Sequence, residues 1–465
     1  MEERKQSGNP MGTKKVPLLL LKMAIPMIFS MVVSALYSIV DSIFIGMIEA
    51  PFNEKAMTAL GYAFPLQMLL VAVAIGTGIG VNSVLSKALG QNKKDDASSS
   101  CINGYWLMAG FYLVFLTLGL IIFFSNFYFS AVTDDEMVVA MGSQYLGICF
   151  IFSFAQLLQL VTERSLCATG KTSLAMVMQL SGALVNIALD PLFILVLDMG
   201  VEGAAIATVL GQVVSMIVGF LLNVFANKEI TFRKKDLKPS FSMMGSILKV
   251  GLPGIILQAL QSLQSLVLQF VFMALLSGNP AAQDMLVGVY GVYYKLQNFV
   301  FMAFYGLINA LLPIVAFNYG NKDKKRVREA ILYGYLYGTV LALVGIVLFE
   351  SIPETLLLLF NLGSDWVDAG VKLTRITAPT FLLASFCIVS TGILEGFGNG
   401  VHPMILSAIR LLIALFPSCY GFGYFLGAGG IWWGSYVAEG AAFAYSALVV
   451  WRVYRSKFPL AGNSL

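Results

Sequence analysis

Charge is scarce in this sequence and histidine nearly missing: 12% of the 465 residues are Asp, Glu, Lys or Arg, and His402 is the single histidine. A soluble domain carries about 25% charged residues, so a water-soluble fold is excluded, and one histidine cannot supply a metal cage. HExxH, GxSxG and GxxxxGK[ST] do not occur, which removes the zinc-protease, serine-hydrolase and P-loop signatures. No polar stretch is long enough for a nucleotide-binding domain, so ATP-driven pumping is disfavoured. The five cysteines, Cys101, Cys149, Cys167, Cys387 and Cys419, lie in or beside apolar runs without CxxC or Cys/His spacing. They read as buried packing residues rather than as a disulfide or metal framework.

What the sequence has in quantity is hydrophobic residues, 58% of the chain. They form runs long enough to cross a hydrocarbon core about 30 Å thick. Twelve such spans are predicted, near 17–46, 57–88, 101–125, 138–163, 172–197, 201–226, 243–277, 284–318, 327–350, 366–394, 401–427 and 430–451. The first continues past Pro26 to Gly46 without a small-residue cleavage signal, so it reads as a retained helix and not a removable targeting peptide. The formal charge of +4 does not make a nucleic-acid surface, because the basic residues sit in short connections between apolar runs. Of the 29 Lys and Arg, 24 fall in the N-terminal arm, in alternate connections and in the C-terminal tail. Lys55, Lys372 and Arg375 alone occupy the other side, and Lys295 and Arg410 lie inside spans. That bias places both termini in the cytoplasm and the chain in the plasma membrane.

The longest basic connection begins NKEITFRKKDLKPS at Asn227 and lies midway along the chain. The expected organisation is a cytoplasmic arm at 1–16, an N-lobe of six spans at 17–226, an inter-lobe linker at 227–242, a C-lobe of six spans at 243–454 and a cytoplasmic tail at 455–465. The halves align at a nearly constant offset: Lys22–Pro26 falls on Lys249–Pro253, Gly76 on Gly306, Leu89–Lys93 on Tyr319–Asp323, and Gly170 with Met176 on Gly398 with Met404. This is an internal duplication. Each half has an even number of crossings, so both enter from the same side and their pseudo-two-fold axis runs along the membrane normal, with a cleft between lobes. The fold class is an all-α polytopic membrane protein of twelve helices in two six-helix lobes.

The ordered combination of this duplication with VDSIFIG (Val40 to Gly46), KALGQ (Lys87 to Gln91) and NIALDP (Asn186 to Pro191) resembles the multidrug and toxic compound extrusion (MATE) family, closest to its MepA-like bacterial branch. The resemblance covers about Val16 to Tyr454. It implies twelve helices in two lobes around a central cavity, and export of small organic, often cationic compounds in exchange for protons or sodium ions. It implies no cofactor, no nucleic acid and no obligate protein partner; the partners are the organic substrate and the bilayer.

Five of the 25 acidic residues, Asp41, Glu163, Asp190, Glu395 and Glu439, fall in or at the ends of spans, where charge is costly and functional by default. Asp41 lies eight residues before outer-side Glu49 and Asp190 eight before outer-side Asp198, so they share a depth. Thr208, six residues after outer-side Glu202 on an inward-running helix, reaches a similar level, and Asn186 sits one turn below Asp190. Two carboxylates with amide and hydroxyl oxygens suit a hard cation such as sodium. A proton is the alternative, since carboxylates packed together in a low dielectric hold protons more tightly. In the resemblance, Asp41, Asn186, Asp190 and Thr208 match the N-lobe cation-coupling set; a purely structural polar network at Asp41 is the competing reading. Pro26, fifteen residues before Asp41, marks a hinge or a fixed kink, and its repeat partner Pro253 favours the fixed kink.

The C-lobe lacks this acidic pair, because Asp41 meets Leu268 and Asp190 meets Ser418 at the repeat register. It offers instead Gln258, Gln261 and Gln264 on one span, and Lys295, Arg410, Glu395 and Glu439; Gln258, Gln261, Lys295, Arg410 and Glu439, with Tyr37 of the N-lobe, are the candidates for a substrate cavity or relay. Lys295 or Arg410 is expected to neutralise Glu439. Tyr37, Tyr290, Tyr293 and Tyr294 can line a cavity and hold a flat cation, with core packing as the competing role. Glu163 beside Arg164 reads as a charge at a membrane-interface helix end. A lipid-linked precursor flippase is the runner-up function, disfavoured by the few basic residues inside spans, and an intramembrane enzyme is third.

Overall fold

The computed structural model describes residues 9–48, 52–232, 237–262, 264–276, 280–358, 360 and 363–458. The described residues are helical almost throughout. We label the twelve spans α1 (Val16–Gly46), α2 (Phe52–Gly90), α3 (Lys94–Ser125), α4 (Glu136–Ile151 and Phe154–Ala168), α5 (Thr172–Pro191) and α6 (Gly200–Phe225) in the N-lobe. The C-lobe holds α7 (Phe241–Ser262 and Gln264–Leu276), α8 (Pro280–Gly320), α9 (Lys324–Ser351), α10 (Ser364–Thr377 and Phe381–Gly396), α11 (Val401–Ala408 through Phe416–Leu426) and α12 (Gly434–Lys457). Among the described residues, ten spans are long and apolar enough to cross a membrane as single helices, and the two pieces of α4 pass that test together. α12 falls short in apolar content because it carries Glu439, Arg452, Arg455 and Lys457. Its 24 residues still reach about 36 Å at 1.5 Å per residue.

α4 departs from the sequence expectation. Its pieces bend by 46° where the backbone at Phe152 leaves the helical region, at φ −99° and ψ 16°. The second piece then runs on to Ala168. Glu163 and Arg164 consequently lie within it, 1% and 4% exposed, so they are buried side chains and not interfacial charges. Arg164 donates to Asn309 Oδ1 on α8, across the two lobes.

The duplication is repeated in backbone detail. Asn92 and Lys322, repeat mates after α2 and α8, both adopt left-handed φ, at 59° and 58°. Gly170 and Gly398, repeat mates after α4 and α10, do the same at 82° and 76°. The lobes meet through α1 against α8 and α2 against both α7 and α8. These contacts come in symmetric pairs. A Cβ on Gly76 would strike Ile255 of α7, and a Cβ on Gly306 would strike Ile28 of α1; Ile28 and Ile255 are themselves repeat mates. At the helix ends Gly90 abuts Phe317 and Gly320 abuts Lys87. Such glycines let backbones approach to contact.

The apolar core is divided in a way that fixes the shape. One cluster mixes both lobes at the end bearing the termini, with Leu20, Leu85, Ile247 and Phe317 among its members. The other two large clusters are each drawn from one lobe, around Phe115 and Phe150 in the N-lobe and around Phe272 and Phe381 in the C-lobe. Seven residues outward from Gly76 and Gly306, on the same helix faces, Leu69 and Phe299 are 43% and 39% exposed. The faces that touch near the middle of α2 and α8 therefore part toward the other end. A cleft separates the lobes there, closed at the end of the termini and open opposite.

Candidate functional site

α5 is pressed onto α6 through two facing glycines: a Cβ on Gly182 would lie 2.6 Å from the Gly211 carbonyl oxygen, and one on Gly211 3.1 Å from Asn186 Cβ. This contact buries the adjoining turn of α5. Asn186 is 3% exposed and Asp190 0%. Their i, i+4 spacing lets Asn186 Nδ2 donate to Asp190 Oδ1 at 3.1 Å, which turns the Asn186 carbonyl oxygen away from that bond. α1 packs on α5 and brings Asp41 close enough to interact electrostatically with Asp190. Just beyond Asp190, Pro191 has no N–H to donate, and the chain continues as a π turn over Leu192–Val196, a distortion that recurs at functional sites.

Three oxygens here are buried without a hydrogen-bond partner among the described residues: Asp41 Oδ1, Asn186 Oδ1 and Asp190 Oδ2. Leaving such atoms unpaired costs about 1–3 kcal/mol each, more when charged. Two carboxylates and a free amide oxygen are the donor set a hard monovalent cation accepts, so the residues present fit sodium as well as an exchanging proton. Thr208, one turn before Gly211 on α6, lies at this level but forms no hydrogen bond with the other three among the described residues. The described residues hold no group of three or more His, Cys, Asp or Glu that could hold a metal ion.

The C-lobe holds a different arrangement. Arg410 Nη2 and Glu439 Oε1 are 2.6 Å apart, with side chains 13% and 8% exposed. Arg410 lies on a π segment, Ile409–Leu415, followed by Pro417, whose missing N–H frees the Ile413 carbonyl from the regular ladder. The pair borders an enclosed polar cavity of about 30 Å³, lined also by Gln264, Tyr290, Gln297 and Thr377, with room for one or two waters. Glu439 Oε2 has no partner among the described residues. Lys295 does not share in this: its side chain is exposed, and three turns from Gly306 on the same face of α8 it looks into the cleft. Of the two cations considered for Glu439, Arg410 is the partner.

Tyr290 and Tyr293 are 5% and 3% exposed within the C-lobe core, and Tyr290 stacks on Trp432 with rings 6.3 Å apart and 10° between planes. Both tyrosine rings pack in the C-lobe core and border the polar cavity beside Arg410 and Glu439. Gln258 is half-buried and has a partner, whereas the side chains of Tyr37 and Gln261 lie outside the described residues. Pro26 sits inside an uninterrupted α1 and Pro253 inside an uninterrupted first piece of α7. All five cysteines are free and buried. The Arg164–Asn309 bond between lobes is not legible in the sequence, because the helix runs on to Ala168 beyond the end of the apolar run; an arginine inside helical periodicity is the available signal. Nor are Thr377, Thr380 and Ser435 around the C-lobe cavity legible there, since hydroxyls within spans carry no distinguishing pattern.

Removing one partner of a buried ion pair strands the other charge, at a cost of about 3–5 kcal/mol. Arg410→Met should therefore lower the melting temperature of the detergent-purified protein sharply, and Arg410→Met with Glu439→Leu should recover most of the loss. A double variant as unstable as the single one would show that the pair holds the C-lobe by more than charge balance.

Two six-helix repeats around a cleft, with carboxylates buried at the heart of one repeat, define a multi-pass membrane transporter. A family model described as MatE matches residues 26–192 and again 253–420, so the chain belongs to the MatE family, and the paired matches restate the internal duplication. Multidrug export protein MepA of Staphylococcus aureus (strain MSSA476) is 24% identical over 429 residues, 92% of each chain. The MepA protein of Staphylococcus haemolyticus (strain JCSC1435) is 24% identical over 442 residues, 95% of this chain and 94% of that one. A solved structure described as the outward-facing conformation of a multidrug resistance MATE family transporter of the MOP superfamily superposes with a TM-score of 0.88 at 22% identity, covering 97% of both chains.

Proposed function

We propose that this chain is a secondary antiporter that exports small organic compounds, cationic or amphipathic, in exchange for H⁺ or Na⁺. The observation that carries this reading is the set of three unpartnered buried oxygens on Asp41, Asn186 and Asp190 in the N-lobe. A cation bound there satisfies them, and its release leaves two carboxylates facing each other. The N-lobe thus has two energetically distinct states that an ion gradient can drive. Alternating access follows when the symmetric contacts at the closed end separate and the lobes meet at the other end. The names of the MepA relatives support export of multiple drugs as the direction and substrate range.

The test is direct. Purified protein in liposomes loaded with a fluorescent cationic dye is given a pH gradient and a sodium gradient separately. Dye movement driven by one of them supports the antiport and identifies the ion. Absence of movement under both, with correctly inserted protein, would overturn it.

The lobes on this reading are residues 17–226 and 243–454, joined by a cytoplasmic linker at 227–242, of which 233–236 lie outside the described residues. The closed end, with the basic residues and both termini, faces the cytoplasm of a cell bounded by this plasma membrane. Single cysteines placed at Asn92 and Asn321, in the repeat-related turns after α2 and α8, are then expected to react with a membrane-impermeant reagent only from the cytoplasmic side. External labelling of either reverses the orientation while leaving the antiport intact.

A further inference from the structure

Between α9, α10 and α12, on the outer surface of the C-lobe and away from the cleft, lies an apolar groove of about 260 Å³. Its surroundings face lipid: Leu332, Leu336 and Leu448 are 62%, 50% and 45% exposed. The floor of the groove is a stacked pair, Tyr335 on Phe386, with rings 4.2 Å apart and 7° between planes. The Tyr335 hydroxyl is turned inward, 2.9 Å from Ser390 Oγ, so the ring presents only carbon to the groove. Ala447 keeps the middle open, and Trp451 and Tyr454 form the wall nearest the C-terminal end. From Ala447 to Tyr454 the groove runs about 10 Å along α12, the direction an acyl chain takes in the bilayer.

Its mouth is polar and positive. Arg328 lines it and carries no ion pair among the described residues. Arg455 lies over the Trp451 ring, 4.3 Å from its centre, which holds a second guanidinium at the same level. The Tyr454 hydroxyl is buried and has no hydrogen-bond partner among the described residues. The neighbouring arginine behaves otherwise: Arg326 is occupied within the protein, donating to Asn318 Oδ1 and to the carbonyls of Met11 and Lys14. Two guanidiniums without an ion pair among the described residues and an unpaired hydroxyl above an apolar slot make a receptor for a phosphodiester headgroup with one acyl chain below it. A zwitterionic lipid brings a compensating ammonium that the arginines repel.

We propose that this groove is a binding site for an anionic phospholipid of the leaflet on the side of the termini, with the headgroup at Arg328, Arg455 and Tyr454 and an acyl chain over Tyr335 and Phe386. The site stands apart from the ion-coupling residues and does not depend on their role.

The full chain, purified in a non-ionic detergent, is titrated with phosphatidylglycerol and with phosphatidylcholine of the same acyl chains, and bound lipid is counted by native mass spectrometry. Phosphatidylglycerol should bind more tightly than phosphatidylcholine. Arg328→Gln with Arg455→Gln should weaken phosphatidylglycerol about tenfold or more and leave phosphatidylcholine unchanged. Ala447→Phe, which fills the slot and keeps the charges, should weaken phosphatidylglycerol as well, while soluble glycerol phosphate should fail to compete. Equal binding of the two lipids, or phosphatidylglycerol binding untouched by the arginine double variant, overturns the proposal. The arginines are on the surface, so this variant folds and the test stands even where Ala447→Phe does not.

Discussion

Asp190→Asn protein in liposomes is expected to insert normally and still bind dye, yet to move no more dye under a pH or sodium gradient than protein-free vesicles. The substitution is nearly isosteric at a residue that is 0% exposed, so the packing of α5 against α6 survives. The bond from Asn186 Nδ2 to Oδ1 can be kept by the new amide oxygen. What changes is the other atom: Oδ2, unpartnered in this structure, is replaced by an NH₂ that repels a cation and cannot carry an exchangeable acid proton. Asp41→Asn should give the same result for the same reason. A purely structural role predicts the reverse, namely lower expression or thermal stability with coupling intact in the protein that survives. Undiminished gradient-driven efflux by both well-folded variants would sink the N-lobe mechanism and direct attention to Arg410 and Glu439.

The second large effect concerns the closed end of the cleft. Gly90→Ala and Gly320→Ala should each disfavour the state described here, because each new Cβ meets the backbone of the opposite lobe, at Phe317 and at Lys87. Backbone cannot yield as a flexible side chain does, and overpacking of this kind costs about 1–3 kcal/mol or more. A cost of that size shifts a two-state balance on the order of 10- to 100-fold. A cysteine placed at Leu69, exposed in the cleft, reports the shift through its labelling rate, which should fall about tenfold or more in either variant. Gly61→Ala and Gly291→Ala, also repeat mates and with nothing within 4 Å of a Cβ, should leave the rate unchanged. Because the contacts are symmetric, the two closing variants should behave alike. Unchanged labelling in both would mean that these glycines do not close the cleft.

The pairing of Asn186 with Asp190 was legible because i, i+4 spacing on a helix is a local rule, and Asp41 was legible because counting from the helix ends gives depth in a membrane. For Thr208 that counting sets a level but not the rotation of the helix about its axis. The choice between Lys295 and Arg410 as the partner of Glu439 was open in the sequence for the same reason. The position of Lys295 inside a span was plain, but only packing decides whether that face of α8 meets the C-lobe core or the cleft. Arg164 lies deeper than expected because apolar content fades before the helix ends, and the Asn309 amide on α8 accepts a hydrogen bond from it there.

The sequence by itself determined the membrane environment, the twelve crossings, the duplication and the identity of the paired N-lobe residues. These follow from hydrophobic length, from the distribution of Lys and Arg and from fixed spacing, all of which act along one helix or between repeats. Only the tertiary structure decided that the cleft is closed at the end of the termini, that Arg410 and not Lys295 pairs with Glu439, that Arg164 bridges the lobes and that a lipid-facing groove forms between α9, α10 and α12. Each of these depends on how helices distant in sequence rotate and press together, which is fixed by contacts such as Gly76 on Ile255 and Gly306 on Ile28 rather than by any pattern within a single span.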